Sequence, residues 1–284
     1  MTTTNTLKTV FLLGLLSALL LVGGQALGGR QGLLLGLGMA VVMNLAGYFY
    51  SDKIALSMYH AQPLTREENP EIYKRIAPMV SRLCQRMGIP EPKLWVIPEE
   101  SPNAFATGRN PKHASVAFTV GLLRLMDDQE VEAVLAHELG HVLNRDILVA
   151  SIAATIAAAI TYLSHFAFFF GGRRDEDGDG GGAGGALLML FLGPIAAMVI
   201  QMAISRTREY GADGAAAKYM GSPYPMISAL QRLDSYAQRI PMHASPATAH
   251  MFIIAPFGGG RTLMKLFSTH PSTEQRIARL QAIR

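Results

Sequence analysis

The sequence predicts a mainly α integral membrane protein, in which four transmembrane helices accompany a soluble α+β part with a small β-sheet. Two observations lead to this prediction. Of the 284 residues, 50% are apolar and only 16% are charged, whereas soluble domains average about 25% charged residues. The apolar residues are also concentrated in four stretches, and the segments between those stretches carry the polar residues and turn signals of a soluble domain.

Each of the four apolar stretches is long enough to cross a bilayer. They cover Val10–Leu27, Gly32–Tyr50, Ile147–Phe170 and Ala186–Ile204, and none of them contains Asp, Glu, Lys or Arg. A helix of about 20 residues spans the hydrocarbon core of about 30 Å. A cleaved signal peptide is the alternative for the first stretch, and a buried hydrophobic helix is the alternative for the third and fourth. We expect two membrane hairpins.

This pattern divides the chain into four parts. They are an N-terminal transmembrane hairpin (1–50), a polar segment (51–146), a second transmembrane hairpin (147–204) and a polar segment to the end (205–284). The loop 171–185 inside the second hairpin is glycine-rich and acidic, which is typical of a flexible connector. It is not an EF-hand, because it lacks the bidentate acid that closes such a calcium site.

The first polar segment predicts mixed α and β structure. Glu71–Met87 has the apolar spacing of an amphipathic helix, and Lys93–Ile97 and His113–Thr119 are short and β-prone. A further helix is expected to begin near Asp127, because Glu130 follows three residues later as in a capping box.

Composition excludes several other classes of protein. The single cysteine, Cys84, has no partner for a disulfide, so a disulfide-stabilised secreted module is excluded. The net charge of +4 is spread along the chain rather than clustered, and we therefore expect no nucleic-acid partner.

The helix that follows Asp127 carries the sequence His137-Glu138-Leu-Gly-His141. Two histidines at i and i+4 project from one face of a helix and can bind the same zinc ion through one imidazole nitrogen each. Glu138 is rotated by about 100° from His137, so it is placed to take a proton from a water that the metal activates rather than to act as a ligand. The alternative is an ordinary amphipathic helix with two solvated histidines.

A catalytic zinc usually has three protein ligands and a water. The extended pattern HExxHxxGxxH is absent, because Asn144 and Ile147 stand where it requires glycine and histidine. Glu209 is the better candidate, and helical spacing places Asp213 on the same face, where it could orient a histidine ligand. On spacing alone, a solvated helix face remains the alternative. Two membrane crossings between His141 and Glu209 would return the chain to the same side.

Together these residues resemble the HtpX-type branch of the membrane-bound zinc metalloproteases, peptidase family M48, which also includes the prenyl-protein proteases. The resemblance covers nearly the whole chain, and its motifs occur in the family's order. They are Ser51-Asp-Lys-Ile-Ala-Leu, Pro102-Asn-Ala-Phe-Ala-Thr-Gly108, Ala136-His-Glu-Leu-Gly-His141, Asn144-Arg-Asp146, Ser205-Arg-Thr-Arg-Glu-Tyr-Gly-Ala-Asp213 and Thr269-His-Pro-Ser272.

The resemblance implies that the two polar segments form one zincin-like α+β metalloprotease domain. It implies a zinc metalloendopeptidase of the bacterial inner membrane, with one Zn²⁺ per chain and an active site that faces the cytoplasm. Its implied partners are the lipid bilayer and protein or peptide substrates, mainly misfolded or damaged membrane proteins. The count of Lys and Arg near the ends of the apolar stretches favours the same orientation, by five to three.

The resemblance also assigns roles to single residues. It makes Glu209 the third zinc ligand and places Asp213 behind a histidine ligand. His270 would stabilise the oxyanion that forms at the substrate carbonyl; a turn residue before proline is the alternative. We expect Arg276, at the start of the final amphipathic helix, to be a surface charge; assistance in catalysis is the alternative.

The resemblance further implies that Asn103, Ala104 and Phe105 lie on an edge strand that binds an extended peptide by strand addition. A plain loop is the alternative for this segment. The predicted mechanism is peptide-bond hydrolysis by metal-activated water, with Glu138 as the general base that then protonates the leaving amine.

Two further hypotheses remain. The first is processing of prenylated substrates, for which four spans provide little enclosed space. The second is a non-catalytic membrane scaffold with a structural zinc, which the lone Cys84 disfavours because structural zinc sites are usually rich in cysteine.

Overall fold

The protein was analysed as a computed structural model, which describes residues 3–153, 156, 206–239, 253 and 271–283. Most of the predicted third span, the loop 171–185, the whole predicted fourth span 186–204 and His270 lie outside the described residues. The described helices are α1 (Thr3–Met58), α2 (Pro70–Met87), α3 (Val120–Leu125), α4 (Asp128–Asn144), α5 (Arg206–Met220), α6 (Tyr224–Arg239) and α7 (Thr273–Gln281). The strands are β1 (Gln62–Pro63), β2 (Lys93–Ile97), β3 (Ala104–Gly108) and β4 (Ala114–Thr119).

Helix α1 folds back on itself as a hairpin. The amide of Asn44 donates a hydrogen bond of 2.8 Å to Ser17 Oγ, 27 residues away along the chain. In a straight helix these residues would be about 40 Å apart. The reversal coincides with Gly29, whose φ of 56° is in the left-handed region that glycine enters without a steric penalty. The predicted N-terminal hairpin is therefore present, although its second helix continues beyond residue 50 to Met58.

Both arms of this hairpin can cross a membrane by length and composition. The candidate spans are Asn5–Val22 and Gly29–Tyr50, and only 28% and 17% of them, respectively, are buried in the protein. Such exposure of apolar helices does not fit the core of a soluble domain. It fits contact with lipid.

The start of the predicted third span packs against the hairpin. Residues 147–153 and 156 are helical. This segment and the hairpin share a buried cluster that consists of Leu12, Leu16, Leu20, Ala40, Leu148, Val149, Ile152, Ala153 and Ile156. Two of the four predicted transmembrane helices are thus confirmed as membrane-length helices, and the other two stay predictions.

The four strands form one mixed sheet in the order β1-β2-β4-β3. Strand β2 has the predicted bounds, whereas β4 begins at Ala114 because Pro111–His113 form a 3₁₀ turn. β2 runs parallel to β4, and β3 runs antiparallel to β4. In the described part of the chain, β3 has a strand partner on one side only, so it is an edge strand.

The sheet is covered on both faces. Alternate residues of β3 and β4 (Ala104, Ala106, Val116, Phe118) join the main core with α2 and α4, while Phe105 and Ala117 pack against the end of α1. The period-2 alternation of a strand explains this division. The sheet therefore lies between the end of the membrane hairpin on one face and helices α2 and α4 on the other. Helix α4 carries the HExxH sequence.

Helix α4 begins as predicted. Asp127 accepts a hydrogen bond from the backbone N–H of Glu130, and the Glu130 carboxylate accepts one from the backbone N–H of Asp127. Glu130 is 1% exposed and also accepts hydrogen bonds from Ser228 and Arg232 of α6. The capping box thus stabilises the first turn of α4 and also attaches α6 to it.

Helices α4 and α5 approach each other closely at Gly140. A Cβ atom on this glycine would lie 3.0 Å from Ala215 Cβ and 3.1 Å from Ala212 Cα. These distances are shorter than ordinary van der Waals contact, so a side chain here would require α5 to move away by a few tenths of an ångström. The packing matters for the site because Gly140 lies next to His141 and α5 carries Glu209.

We expect Gly140→Val to lower the free energy of unfolding by about 1–3 kcal/mol or more, as overpacked cores do. The matched control is Gly214→Val on α5, where a Cβ atom meets nothing within 4 Å. The control is expected to change the free energy of unfolding by less than about 0.5 kcal/mol. Denaturant titration in detergent micelles, followed by circular dichroism, measures both. Equal stability of the two variants would contradict this account of the helix packing.

Candidate active site

His137, His141 and Glu209 converge on one point. His137 Nε2 lies 3.7 Å from Glu209 Oε2, and His141 Nε2 lies 3.7 Å from Glu209 Oε1. One ligand atom from each residue lies within 4.8 Å of the others. The two histidines come from successive turns of α4 and the glutamate comes from the first turn of α5. The structure thus brings together the three residues that the sequence predicts as metal ligands.

The far nitrogen of each histidine faces a carboxylate. His137 Nδ1 lies 2.9 Å from Asp213 Oδ1, and His141 Nδ1 lies 3.2 Å from Asp146 Oδ2. A hydrogen bond from Nδ1–H to a carboxylate fixes the tautomer in which the Nε2 lone pair is free to bind a metal. Asp213 therefore lies where the sequence predicts it. Asp146 holds the equivalent position behind His141.

The donor set fits a zinc ion. Two imidazole nitrogens and one carboxylate oxygen form a ligand set found in catalytic zinc sites, and Zn–ligand bonds of about 2.0–2.2 Å at tetrahedral angles separate ligand atoms by about 3.4 Å. Each histidine lies 3.7 Å from a different oxygen of Glu209, which is close to this value and too long for a hydrogen bond. A set of three protein ligands leaves a fourth position for water or substrate.

The charges around the site also favour a divalent cation. Four carboxylates meet here (Glu138, Asp146, Glu209, Asp213), and two guanidinium groups, Arg208 and Arg276, interact with them. With neutral histidines these six groups leave a formal charge of −2, and Lys8, which also interacts with Asp146, reduces it to −1. Burial lowers the pKa of His141, but the hydrogen bond to Asp146 and the charges of Glu209 and Glu138 outweigh burial and raise it to about 9. Without a cation, a proton on His141 thus compensates part of the negative charge.

Glu138 lies beside the three candidate ligands, on the adjoining face of α4. Its side chain is buried, and Oε2 accepts a hydrogen bond of 2.8 Å from the backbone N–H of Ala106 on β3. Burial raises the pKa of Glu138, and although the histidines and the Ala106 N–H lower it, the net shift is upward. A carboxylate with a raised pKa is suited to accept a proton and then release it near neutral pH.

Arg276 is not the surface charge that we expected from the sequence. Its side chain is 1% exposed and lies behind the site, because the amphipathic helix α7 turns this position inward. The guanidinium donates to both oxygens of Asp213, through Nε at 2.8 Å and NH2 at 2.6 Å, and NH1 donates to the backbone carbonyl of Ile253 at 2.6 Å. NH1 also lies 3.8 Å from Glu209 Oε2. This bidentate pair holds Asp213 in position.

The Asp213–Arg276 pair keeps Asp213 ionised. Burial alone raises the pKa of Asp213, but the charge of Arg276 and the hydrogen bonds from Arg276 and His137 lower it to about 2. Asp213 can therefore act only as a hydrogen-bond acceptor for His137 at physiological pH. The hydrogen-bonded chain Arg276–Asp213–His137 thus fixes the orientation of the His137 imidazole through its Nδ1 atom.

The edge strand β3 lies next to Glu138, through the contact at Ala106. Asn103, which precedes the strand, is 2% exposed and holds the chain through hydrogen bonds with Thr119. Segment 104–108 is a strand rather than the loop that we kept as the alternative. The structure thus places Asn103, Ala104 and Phe105 beside the site, although their part in substrate binding stays a prediction.

Sequence reasoning overlooked two of the residues that position the histidines. Asp146 follows the HExxH helix directly, and a carboxylate five residues after the second histidine is a signal that we did not use. Arg276 was expected to be a surface charge rather than a residue of the site, since nothing in the local sequence links it to Asp213, 63 residues away.

The hairpin, the small mixed sheet and the arrangement of His137, Glu138, His141 and Glu209 are those expected of a membrane metalloprotease. The model of peptidase family M48 matches residues 70–284. The chain belongs to peptidase family M48.

Curated relatives agree over nearly the full length. The chain is 52% identical over 281 residues to "Protease HtpX homolog" of Desulforapulum autotrophicum. This alignment covers 98% of this chain and 89% of the relative. It is 51% identical over 284 residues to the protein of the same name from Desulfatibacillum aliphaticivorans, with 99% and 90% covered. The resemblance to the HtpX-type proteases that the sequence motifs indicate is thus confirmed.

A solved structure is also similar in part. The crystal structure of S. mikatae Ste24p matches with a TM-score of 0.48 and 20% sequence identity. The match covers 98% of this chain but 65% of that chain, so the protein is similar to less than two thirds of Ste24p.

Proposed function

We propose that this protein is a zinc-dependent endopeptidase that hydrolyses peptide bonds of misfolded or damaged membrane proteins. The observation that carries the proposal is the convergence of His137, His141 and Glu209, whose ligand atoms lie within 4.8 Å of one another beside the buried Glu138. Membership of family M48 makes the protein a peptidase, and the donor set favours zinc as its metal.

In this proposal His137, His141 and Glu209 hold one zinc ion per chain. A bound zinc supplies Lewis acidity, which lowers the pKa of a water molecule to about 7. Glu138 accepts the proton from the attacking water and then delivers it to the leaving amine nitrogen. Its position beside the three ligands, held by the Ala106 N–H, suits both steps. His270 is proposed to stabilise the oxyanion, and Asp213 holds the His137 ring through Nδ1.

The substrate is proposed to bind as an extended strand along β3. Glu138 contacts the backbone of Ala106, so a peptide that is paired with Asn103, Ala104 and Phe105 would pass directly beside the general base. Strand addition relies on backbone hydrogen bonds, which every peptide offers. It requires an extended, unfolded segment and tolerates many sequences, as a quality-control protease needs.

The membrane hairpin supports membrane proteins as the substrate class. The end of α1 packs on the face of the sheet that carries Phe105, so the proposed peptide-binding strand lies directly against the membrane helix. We propose that the protein is a multi-pass protein of the bacterial inner membrane with its site on the cytoplasmic side. The excess of Lys and Arg at the site-proximal ends of the apolar stretches supports this orientation.

The proposal is tested with a membrane-inserted reporter in proteoliposomes, offered in a folded and a destabilised version. We expect the purified protein to cleave the destabilised reporter preferentially. A zinc chelator should abolish cleavage, and added Zn²⁺ should restore it. Cleavage that persists after metal removal would contradict the metalloprotease mechanism. Cleavage confined to prenylated peptides would contradict the proposed substrate class.

The ligand assignment predicts that Glu209→Ala lowers the zinc content of the purified protein well below one ion per chain and abolishes cleavage, because two histidines alone hold zinc weakly. Glu71→Ala is the control, since Glu71 is an exposed carboxylate in the first turn of α2. Elemental analysis after dialysis measures the zinc content of both variants. Tight zinc binding that survives Glu209→Ala would assign the third ligand to another residue.

A further inference from the structure

We infer that Asn5, in the first turns of the membrane helix α1, is a positioning residue for the metal site, acting on His141 through Asp146. The inference rests on the proposed function. The Asn5 amide nitrogen donates to Asp146 Oδ1 at 3.1 Å and to the backbone carbonyl of Arg145 at 3.2 Å. These contacts join segments that are 141 residues apart in the sequence.

The contact between Asn5 and Asp146 is buried in the protein interior. Asn5 is 5% exposed and Asp146 is 6% exposed. Both partners of the Asn5 side chain, a carboxylate and a carbonyl, are acceptors only, so the side chain must present its NH₂ group to them. A buried asparagine of this kind is specific, because a side chain without two donors would leave these acceptors unsatisfied.

Asp146 contacts two side chains with one carboxylate oxygen each, and the charges of Arg208 and Lys8 also act on it. Oδ1 accepts from Asn5, and Oδ2 lies 3.2 Å from His141 Nδ1. The row Asn5–Asp146–His141 ends at His141 Nε2, which lies 3.7 Å from Glu209. Asn5 therefore holds the carboxylate that fixes the tautomer and the ring orientation of His141, and it does so from the membrane hairpin.

The backbone explains why Asp146 needs such a support. Helix α4 ends at Asn144, Arg145 adopts a left-handed conformation with φ of 59°, and the next helix begins at residue 147. Asp146 thus lies in a two-residue break. Its backbone N–H donates to the His141 carbonyl at 3.0 Å, so the backbone is fixed, whereas the direction of its carboxylate depends on the side chain's own hydrogen bonds. Asn5 binds both residues of the break, through the Arg145 carbonyl and the Asp146 side chain. The first membrane helix thereby sets the geometry of a ligand on α4.

The test measures zinc affinity of the full-length protein in detergent micelles, by competition with a chromophoric chelator. Loss of a residue that contacts a ligating histidine costs about 10–100-fold in metal affinity. Asn5 acts one residue further away, so we expect Asn5→Ala to weaken zinc binding by about 10-fold. Asn44→Ala is the matched control, because Asn44 lies in the same hairpin and donates to Ser17 rather than to the site. Its zinc affinity should equal that of the unmodified protein.

A donor–acceptor exchange separates positioning from a general loss of packing. Asn5→Asp alone places two carboxylates face to face and should weaken zinc binding more than Asn5→Ala. In the double variant Asn5→Asp/Asp146→Asn, the new amide at 146 donates to the carboxylate at 5 and accepts from His141 Nδ1–H. It should recover part of the affinity that Asn5→Asp loses, because the contact with residue 146 is restored while the Arg145 carbonyl still lacks its donor. This comparison remains decisive even if Asn5→Ala does not fold.

Unchanged zinc affinity in folded Asn5→Ala would overturn the inference, as would a double variant that binds zinc no better than Asn5→Asp. In either case the unmodified protein would still bind one zinc and lose it in His137→Ala, so the proposed function would stand. If the unmodified protein binds no zinc, or if His137→Ala binds it equally well, the proposed function itself fails.

Discussion

Replacement of Glu138 with glutamine is expected to lower kcat for peptide hydrolysis by about 10²–10⁴-fold, the usual contribution of a general base. Glutamine has nearly the same shape and keeps an oxygen that can accept the Ala106 N–H, at present 2.8 Å from Glu138 Oε2. It has no basic oxygen that can take a proton from water. Because Glu138 is not one of the three converging ligands, zinc should remain bound at one ion per chain.

The measurement is single-turnover cleavage of an unfolded protein substrate, with the zinc content determined on the same sample. Glu132→Gln is the matched control, since Glu132 lies on the same helix and pairs with Arg82 at 3.1 Å, away from the site. The control should keep full activity. Full activity in Glu138→Gln would show that another group accepts the proton, and loss of zinc would show that Glu138 helps to hold the metal.

Removal of the guanidinium in Arg276→Met is expected to lower the free energy of unfolding of the metal-free protein by about 3–5 kcal/mol, as when one partner of a buried ion pair is lost. Methionine fills much of the volume but leaves Asp213 without its two hydrogen bonds, at 2.6 and 2.8 Å. Glu209 also loses its neighbouring positive charge. Arg276→Lys should be intermediate, because an ammonium keeps the charge but cannot form the bidentate contact.

Denaturant titration followed by circular dichroism measures this effect, and cleavage activity reports whether His137 remains oriented. Arg279→Met is the matched control on the same helix, where the exposed guanidinium lies 4.6 Å from the centre of the Tyr210 ring. An exposed cation–π contact contributes about 0.5–1 kcal/mol. If Arg276→Met and Arg279→Met are equally stable, the buried pair does not hold the site together.

Local sequence was sufficient for the features that depend on neighbouring residues. The spacing of His137 and His141 places both on one helix face by the geometry of the α-helix alone. The capping box at Asp127 and the bounds of β2 follow from short-range hydrogen bonding and side-chain alternation, and the structure confirms both. The length of the first two apolar stretches was likewise sufficient to predict the N-terminal hairpin.

The sequence was less informative where a charge is buried by distant partners. Arg276 lies in an amphipathic pattern typical of a surface helix, and only its packing against Asp213 shows that it is 1% exposed. Similarly, Asn5 precedes an apolar stretch, and nothing in the local sequence indicates that its side chain lies 3.1 Å from Asp146 in the folded protein. A buried ionic or amide group is stabilised by its partners, and the acidic partner is more than 60 residues away in each case.

The sequence by itself therefore determined the chemistry: an HExxH helix, a third acidic candidate at Glu209, apolar stretches of membrane length and membership of an enzyme family. Those features depend on residue type and local spacing. The sequence also predicted Asp213 behind a histidine, but only the tertiary structure decided that this histidine is His137 and that Arg276 supports Asp213. It alone also placed Asn5 and Asp146 behind His141. The physical reason is that a ligand's orientation is set by hydrogen bonds between segments that only folding brings together.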